Sequence, residues 1–367
     1  MHKPDSETIH AAIAFGFGSA NEPDGRHGSN HLIEHLLVAH LERKLASICH
    51  QTIVDGMTDT ELLLINIKTV RQNLNPVIDA IESLNTLESF DPNDFRQELP
   101  AIIGASELEL DPYYRVLQGC SQTVMKGSPY EHPVDGYKKD VEKLTLTDCN
   151  EIWHAMKFTF GSIVSLYGNV KNAKLDWKTG YQKTRIGDWK YRPAQTNIDM
   201  NLKGAECCLG TFDADTNPAI IEFLGFVAGG NSYSQMFQYL RAKTGFAYDT
   251  RSIIDVYSTG TQIRLYFGIE KKDDFDKCLE TLWDALENFS FDRDNLEFWR
   301  ESYRCSQVFE MDNPGKFTAK TACCKLLGIE VDPEKVSKYL AKFDPAQMND
   351  FCKKLFQKDR FSLAVVR

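Results

Sequence analysis

Two stretches far apart in this chain carry nearly the same phrase: "ESFDPNDFRQEL" from Glu88 and "FSFDRDNLEFWR" from Phe289, with Phe90 opposite Phe291. A second pair, "TIVDGMTDTELLLINI" and "SIIDVYSTGTQIRLYFGI", aligns Asp55 with Asp255 at almost the same spacing. Between these landmarks each half has a stretch whose apolar residues recur at helical intervals, "LNPVIDAIESLNTL" and "DDFDKCLETLWDAL". Duplication is a severe constraint, because whatever the first half folds into the second must approximate. The pattern predicts two α+β domains of ordinary size, each a sheet packed with helices. Residues 175–197, "LDWKTGYQKTRIGDWKYRPAQTN", are polar and rich in Lys, Gly and aromatics. They read as the link, giving domains over 1–180 and 190–367 with a boundary near residue 185.

The chain has 367 residues, 42% of them hydrophobic and 26% charged, as in soluble globular proteins. A net charge of −10 argues against general affinity for nucleic acid or anionic membrane, and neither is expected as a partner. No apolar run approaches the roughly 18 residues that span a bilayer. The opening "MHKPDSETIH" lacks the charged-then-apolar pattern of a secretory signal. Ten cysteines are scattered without a C-x-x-C, so reduced thiols that pack the core of a cytoplasmic protein are expected.

The chemistry concentrates in "GSNHLIEHLLVAH", residues 28–40, where His31, Glu34 and His35 form H-x-x-E-H. Positions i and i+4 share a helix face, so both imidazoles can reach one ion. Glu34 projects beside them, where it can take a proton from an attacking water while zinc polarises the carbonyl. This is the reverse of H-E-x-x-H, the inverzincin arrangement. Ser29 or Asn30 is expected to cap the helix. The duplication serves as a control: His31 maps to Ser232, Glu34 to Gln235 and His35 to Met236. The helix is therefore expected to recur in the second half without the three polar residues, so the fold does not need them. His27 and His40 read as turn or surface residues, and "GFGSANEPDG" has no phosphate-loop pattern.

The stretch "GSANEPDGRHGSNHLIEHLL" resembles the N-terminal signature of the pitrilysin/insulinase zinc peptidases. "GGNSYSQMFQYLRAKTGFAYD" resembles the second signature of that family, a Gly-rich turn and helix followed by Arg241 and Tyr248. "DGMTDTELLL", from Asp55, resembles the edge strand on which an extended substrate lies. The resemblance covers nearly the whole chain. It implies two mostly antiparallel domains facing each other across a peptide-binding cavity, zinc as cofactor, and substrate contacts from Arg241 and Tyr248. It also implies a third zinc ligand downstream, for which Glu107 in "SELE" is the first choice and Glu109 the second. Neither count is in register with Glu98, and Pro100 lies between. The implied function is a zinc endopeptidase acting on extended peptides, with leader-peptide processing as one role. The implied partners are a peptide substrate and a homologous subunit, in a homodimer or a heterodimer. The alternative is a non-catalytic peptide-binding or scaffold subunit of a heterodimeric peptidase.

Overall fold

A computed structural model of the chain describes residues 1–46, 51–107, 111–180, 182–184 and 187–367. In chain order the first half contains β1 (Thr8–Phe15), α1 (Ser29–Leu45), β2 (Ile53–Thr58), β3 (Leu63–Val70), α2 (Leu74–Ser83), α3 (Pro92–Glu107), α4 (Pro112–Val124), α5 (Lys138–Val141), α6 (Leu146–Lys157) and β4 (Ser162–Tyr167). The strands of the second half are β5 (Gln195–Ile198), β6 (Ala205–Asp213), β7 (Ala247–Tyr257), β8 (Gly260–Ile269) and β9 (Ser362–Val366). Its helices are α7 (Pro218–Gly229), a π-helical segment over Phe237–Lys243, α8 (Phe275–Glu287), α9 (Arg293–Met311), α10 (Pro314–Leu327), α11 (Pro333–Leu340) and α12 (Pro345–Leu355). Among the described residues no helix is long and apolar enough to cross a membrane. The described cysteines are free thiols, most of them buried.

One sheet runs β2-β3-β1-β4 and the other β7-β8-β6-β9, with β5 added outside β9. Between the named strands, among the described residues, every pairing is antiparallel except that of β5 on β9. The expected α+β architecture of mostly antiparallel sheets packed with helices is thus observed, and the two sheets share one strand order. The repeat reaches individual bonds. The backbone N–H of Phe90 donates to Asn150 Oδ1 at 2.9 Å, and that of Phe291 donates to Asn349 Oδ1 at 2.7 Å. Both phenylalanines are buried, so in each half an α-helical Asn satisfies a donor that water cannot reach.

The chain forms two compact units, one of Met1–Leu108, His132–Arg185 and Phe309–Val331, the other of Glu109–Glu131, Ile186–Val308 and Asp332–Arg367. Each unit therefore takes a helix from the opposite half of the sequence, α10 in the first and α4 in the second. In the first, strand alternation sends Ala11, Ile13 and Phe15 into the core built with α1. Ala12 and Ala14 point the other way, against Ala322 of α10. Both faces are covered, so β1 is apolar almost throughout, and its alanines let α10 approach closely. In the second unit Cys207 and Leu209 enter the core, while Gly210 faces α4. A Cβ at Gly210 would come within 2.6 Å of Cys120 Sγ.

The segment 175–197 is anchored within both units. Trp177 donates its indole N–H to Ser162 Oγ at 3.0 Å in the first. In the second, the Tyr191 hydroxyl donates to the carbonyls of Gly210 and Arg360, at 3.1 and 3.0 Å.

The second-half counterpart of α1 departs from expectation. Instead of a full-length α-helix there is a turn containing Ser232, then Gln235 and Met236 opening a short stretch that becomes π-helical over Phe237–Lys243. Met236 and Leu240 are fully buried. Arg241 lies 5.2 Å from the Phe237 ring centroid and Lys243 3.7 Å from that of Tyr239. The Thr244 hydroxyl donates to the carbonyls of Tyr239 and Leu240, at 2.8 and 3.1 Å, closing the widened turn. Core packing holds the face of Met236 and Leu240, and the Thr244 hydroxyl satisfies carbonyls of the widened turn.

Candidate active site

Helix α1 buries Leu32, Ile33, Leu36, Leu37, Leu41 and Leu45 in the first unit's core. That choice of face leaves His31, Glu34 and His35 on the flank where α1 meets β2 and α3. The two imidazoles stand edge to face with ring centroids 5.1 Å apart. Glu34 is 6% exposed, and its Oε2 accepts a hydrogen bond from the Thr58 hydroxyl at 2.9 Å. Facing it is Gly56 of β2, where a Cβ would lie 2.6 Å from Glu34 Cγ. Only glycine lets this strand come so near the carboxylate. Strand β2 is the outermost of its sheet, so an extended chain could pair along its open side.

Each histidine has a carboxylate at the same ring nitrogen. Nδ1 of His35 lies 2.8 Å from Glu98 Oε2, and Nδ1 of His31 lies 3.2 Å from Asp135 Oδ1. The first is a well-formed hydrogen bond; the second is an ion-pair distance without hydrogen-bond alignment. At His35 the carboxylate can only accept, so the proton belongs on Nδ1 and Nε2 keeps its lone pair. Metal-ligating histidines are typically held this way. Burial opposes the charged form of His31, but Asp135 and Glu34 outweigh it and raise its pKa above the ordinary value. The site-bearing residues that sequence reasoning missed are Asp135, Thr58 and Gly56. Asp135 gives no local signal, because a turn more than a hundred residues on brings it to His31.

The helix does not cap itself. Gly28 occupies the N-cap with φ of 96°, and among the described residues no side-chain cap bond is made and Ser29 Oγ finds no partner. The expected Ser29 or Asn30 cap is replaced by Glu22, whose carboxylate accepts the N–H groups of Gly28 and Asn30 at 2.8 and 2.7 Å. The positive φ at Gly28 turns the Ser29 side chain away from the capping position, and a carboxylate outbids a hydroxyl at a helix N-terminus.

Glu107 ends α3, and its side chain, like Glu109, lies outside the described residues. Among the described residues no group of three or more His, Cys, Asp or Glu side chains is arranged to hold a metal. Arg241 and Tyr248 belong to the second unit. Arg241 is exposed on the π-helical segment. Tyr248 stands at a bulge in β7, 43% exposed, and a Cβ at Gly268 would lie 2.6 Å from its ring. Its hydroxyl donates to Glu206, which also accepts from the Tyr266 hydroxyl at 2.6 Å. Burial and the bond to Glu206 push the Tyr248 phenol up to about 12.

No protein-family profile matches the sequence, and no curated protein is significantly similar to it. Solved structures are similar. An M16 peptidase inactive domain from Pseudomonas fluorescens superposes with a TM-score of 0.82 at 12% identity, over 100% of this chain and 94% of that one. A protease from Helicobacter pylori gives 0.79 at 13%, over 99% and 95%. A chain of complex III2 from Candida albicans gives 0.81 at 17%, over 100% and 92%. The chain therefore has the M16, or pitrilysin-type, peptidase fold.

Proposed function

We propose that the chain is a zinc-dependent endopeptidase that hydrolyses extended peptides, leader peptides among them. The observation that carries this reading is the set on α1: two imidazoles with carboxylates at Nδ1, and a nearly buried glutamate between them under an edge-strand glycine. Such a donor set fits zinc, with His31 and His35 as ligands through Nε2 and Glu107 or Glu109 as the third. Zinc, when bound, supplies Lewis acidity and lowers the pKa of water. The remaining steps belong to the protein. A peptide pairs with β2 as an added strand, which brings one of its carbonyls to Gly56. Glu34 takes the proton of the attacking water and returns it to the leaving amine. Thr58 holds the Glu34 carboxylate in place through the 2.9 Å bond. Arg241 and Tyr248 are the proposed substrate contacts, and a homologous subunit, identical or paralogous, is the proposed partner.

A second reading, a non-catalytic peptide-binding or scaffold subunit, is favoured by one observation. No third ligand joins His31 and His35 among the described residues. A structure of similar fold is likewise described as an inactive domain. Cleavage of a mixed peptide library by the purified chain and by its Glu34→Gln variant separates the two. Cleavage that disappears in the variant supports the enzyme, whereas peptide binding without cleavage in both supports the subunit.

A further inference from the structure

The Glu22 side chain is wholly buried, yet it belongs to neither the helix nor the strand that form the site. Its two oxygens bind alternate amides, Gly28 N–H at 2.8 Å and Asn30 N–H at 2.7 Å, immediately before His31. Asn30 then sends its side-chain amide to the Gly18 carbonyl at 2.6 Å. Gly18 abuts the turn between β2 and β3, where a Cβ would lie 2.8 Å from the Leu62 nitrogen. The next two residues donate to that same turn, Ser19 N–H to Asp59 O at 3.1 Å and Ala20 N–H to Thr60 O at 2.9 Å. An unbroken series of short contacts thus runs from the first turn of the histidine helix to the end of the edge strand. A buried carboxylate is tolerated only when its lone pairs are satisfied, and here the two amides satisfy them beside the His27 imidazole, whose Nδ1 lies 3.8 Å from Glu22 Oε2.

We infer that Glu22 is a positioning residue that sets the register between α1 and β2, and with it the distance of His31 and Glu34 from a peptide lying on that strand. The role in peptide cleavage rests on the peptidase reading above; the clamp itself does not. Two oxygens on amides i and i+2 fix the positive-φ turn at Gly28 in one conformation. A glutamine of the same shape would turn its NH2 toward one of the two N–H donors, leaving that amide without an acceptor. The defect would be local to the entry of α1.

The test uses the full chain and Glu22→Gln. In the metal-free protein, hydrogen exchange at Gly28 and Asn30 is expected to quicken at least about tenfold, with exchange in the second half of α1 unchanged. Zinc affinity, read by competition with a chromogenic chelator, is expected to fall about tenfold, and kcat to fall with KM unchanged. A folded variant with wild-type exchange, zinc affinity and kcat overturns the proposal. If the wild-type chain neither binds zinc nor cleaves peptide, the peptidase reading fails, and the exchange measurement alone decides the clamp. Should Glu22→Gln not fold, Glu22→Asp, one methylene too short to span both amides from the same backbone position, is read in the same way.

Discussion

Nδ1 of His35 on α1 stands 2.8 Å from Oε2 of Glu98 on α3, a bond that joins the motif helix to the helix ending at Glu107. The carboxylate fixes which ring nitrogen carries the proton and holds the ring's orientation. Replacing Glu98 with Gln keeps the size but permits either tautomer. Zinc affinity is expected to fall about 10- to 100-fold, the usual cost of losing such a partner, with little change in melting temperature. Chelator competition checks it, and an unchanged affinity would mean that Glu98 does not orient a ligand.

Gly56 tests the approach of β2 to Glu34. In Gly56→Ala the new methyl would lie 2.6 Å from Glu34 Cγ, so the strand or the glutamate must move. Overpacking of this kind costs about 1–3 kcal/mol, measured as a lower denaturation midpoint. Adding Glu34→Ala removes the obstruction, and the double variant is expected to recover most of the loss. Equal losses in single and double variants would place the cost elsewhere.

Asp213, at the end of β6, offers a pH test away from the histidines. Burial raises its pKa, but hydrogen bonds from the Thr216 and Asp215 N–H groups and the nearby Arg360 outweigh it, so the net shift is downward. A depressed folded-state pKa adds stability above the unfolded value of about 3.9, and that stability is lost as pH falls through the folded pKa. Asp213→Asn is therefore expected to be less stable than wild type at neutral pH, with the gap closing in acid. Urea denaturation at several pH values reads this directly; a constant gap would contradict it.

What was legible in the sequence is what repeats or has a period. The doubled Ser-Phe-Asp phrase announced two similar sheets, and the Phe90–Asn150 and Phe291–Asn349 bonds show why that phrase recurs. The i, i+4 spacing of His31 and His35 placed both rings on one helix face, as observed. Long-range pairing was less accessible. Nothing local tells α4 or α10 which sheet it will cover, since the small residues that admit them lie on strands of the opposite half. Glu22 sits in the signature stretch, but its role as the cap of α1 depends on a positive-φ turn at Gly28. Glycine signals that such a turn is possible without saying which acceptor will reach it. The π-helical winding was likewise hidden, because Met236 and Leu240 keep the i, i+4 apolar spacing of an ordinary α-helix.

Whether α1 is a zinc-binding helix is read from the zinc content and affinity of the purified chain, compared with those of His31→Ala and His35→Ala. One tightly held zinc per chain is expected, lost in either variant while the fold, followed by circular dichroism, persists. Folded variants that hold zinc as well as the wild type, or a wild type that binds none from a zinc-buffered solution, would contradict it.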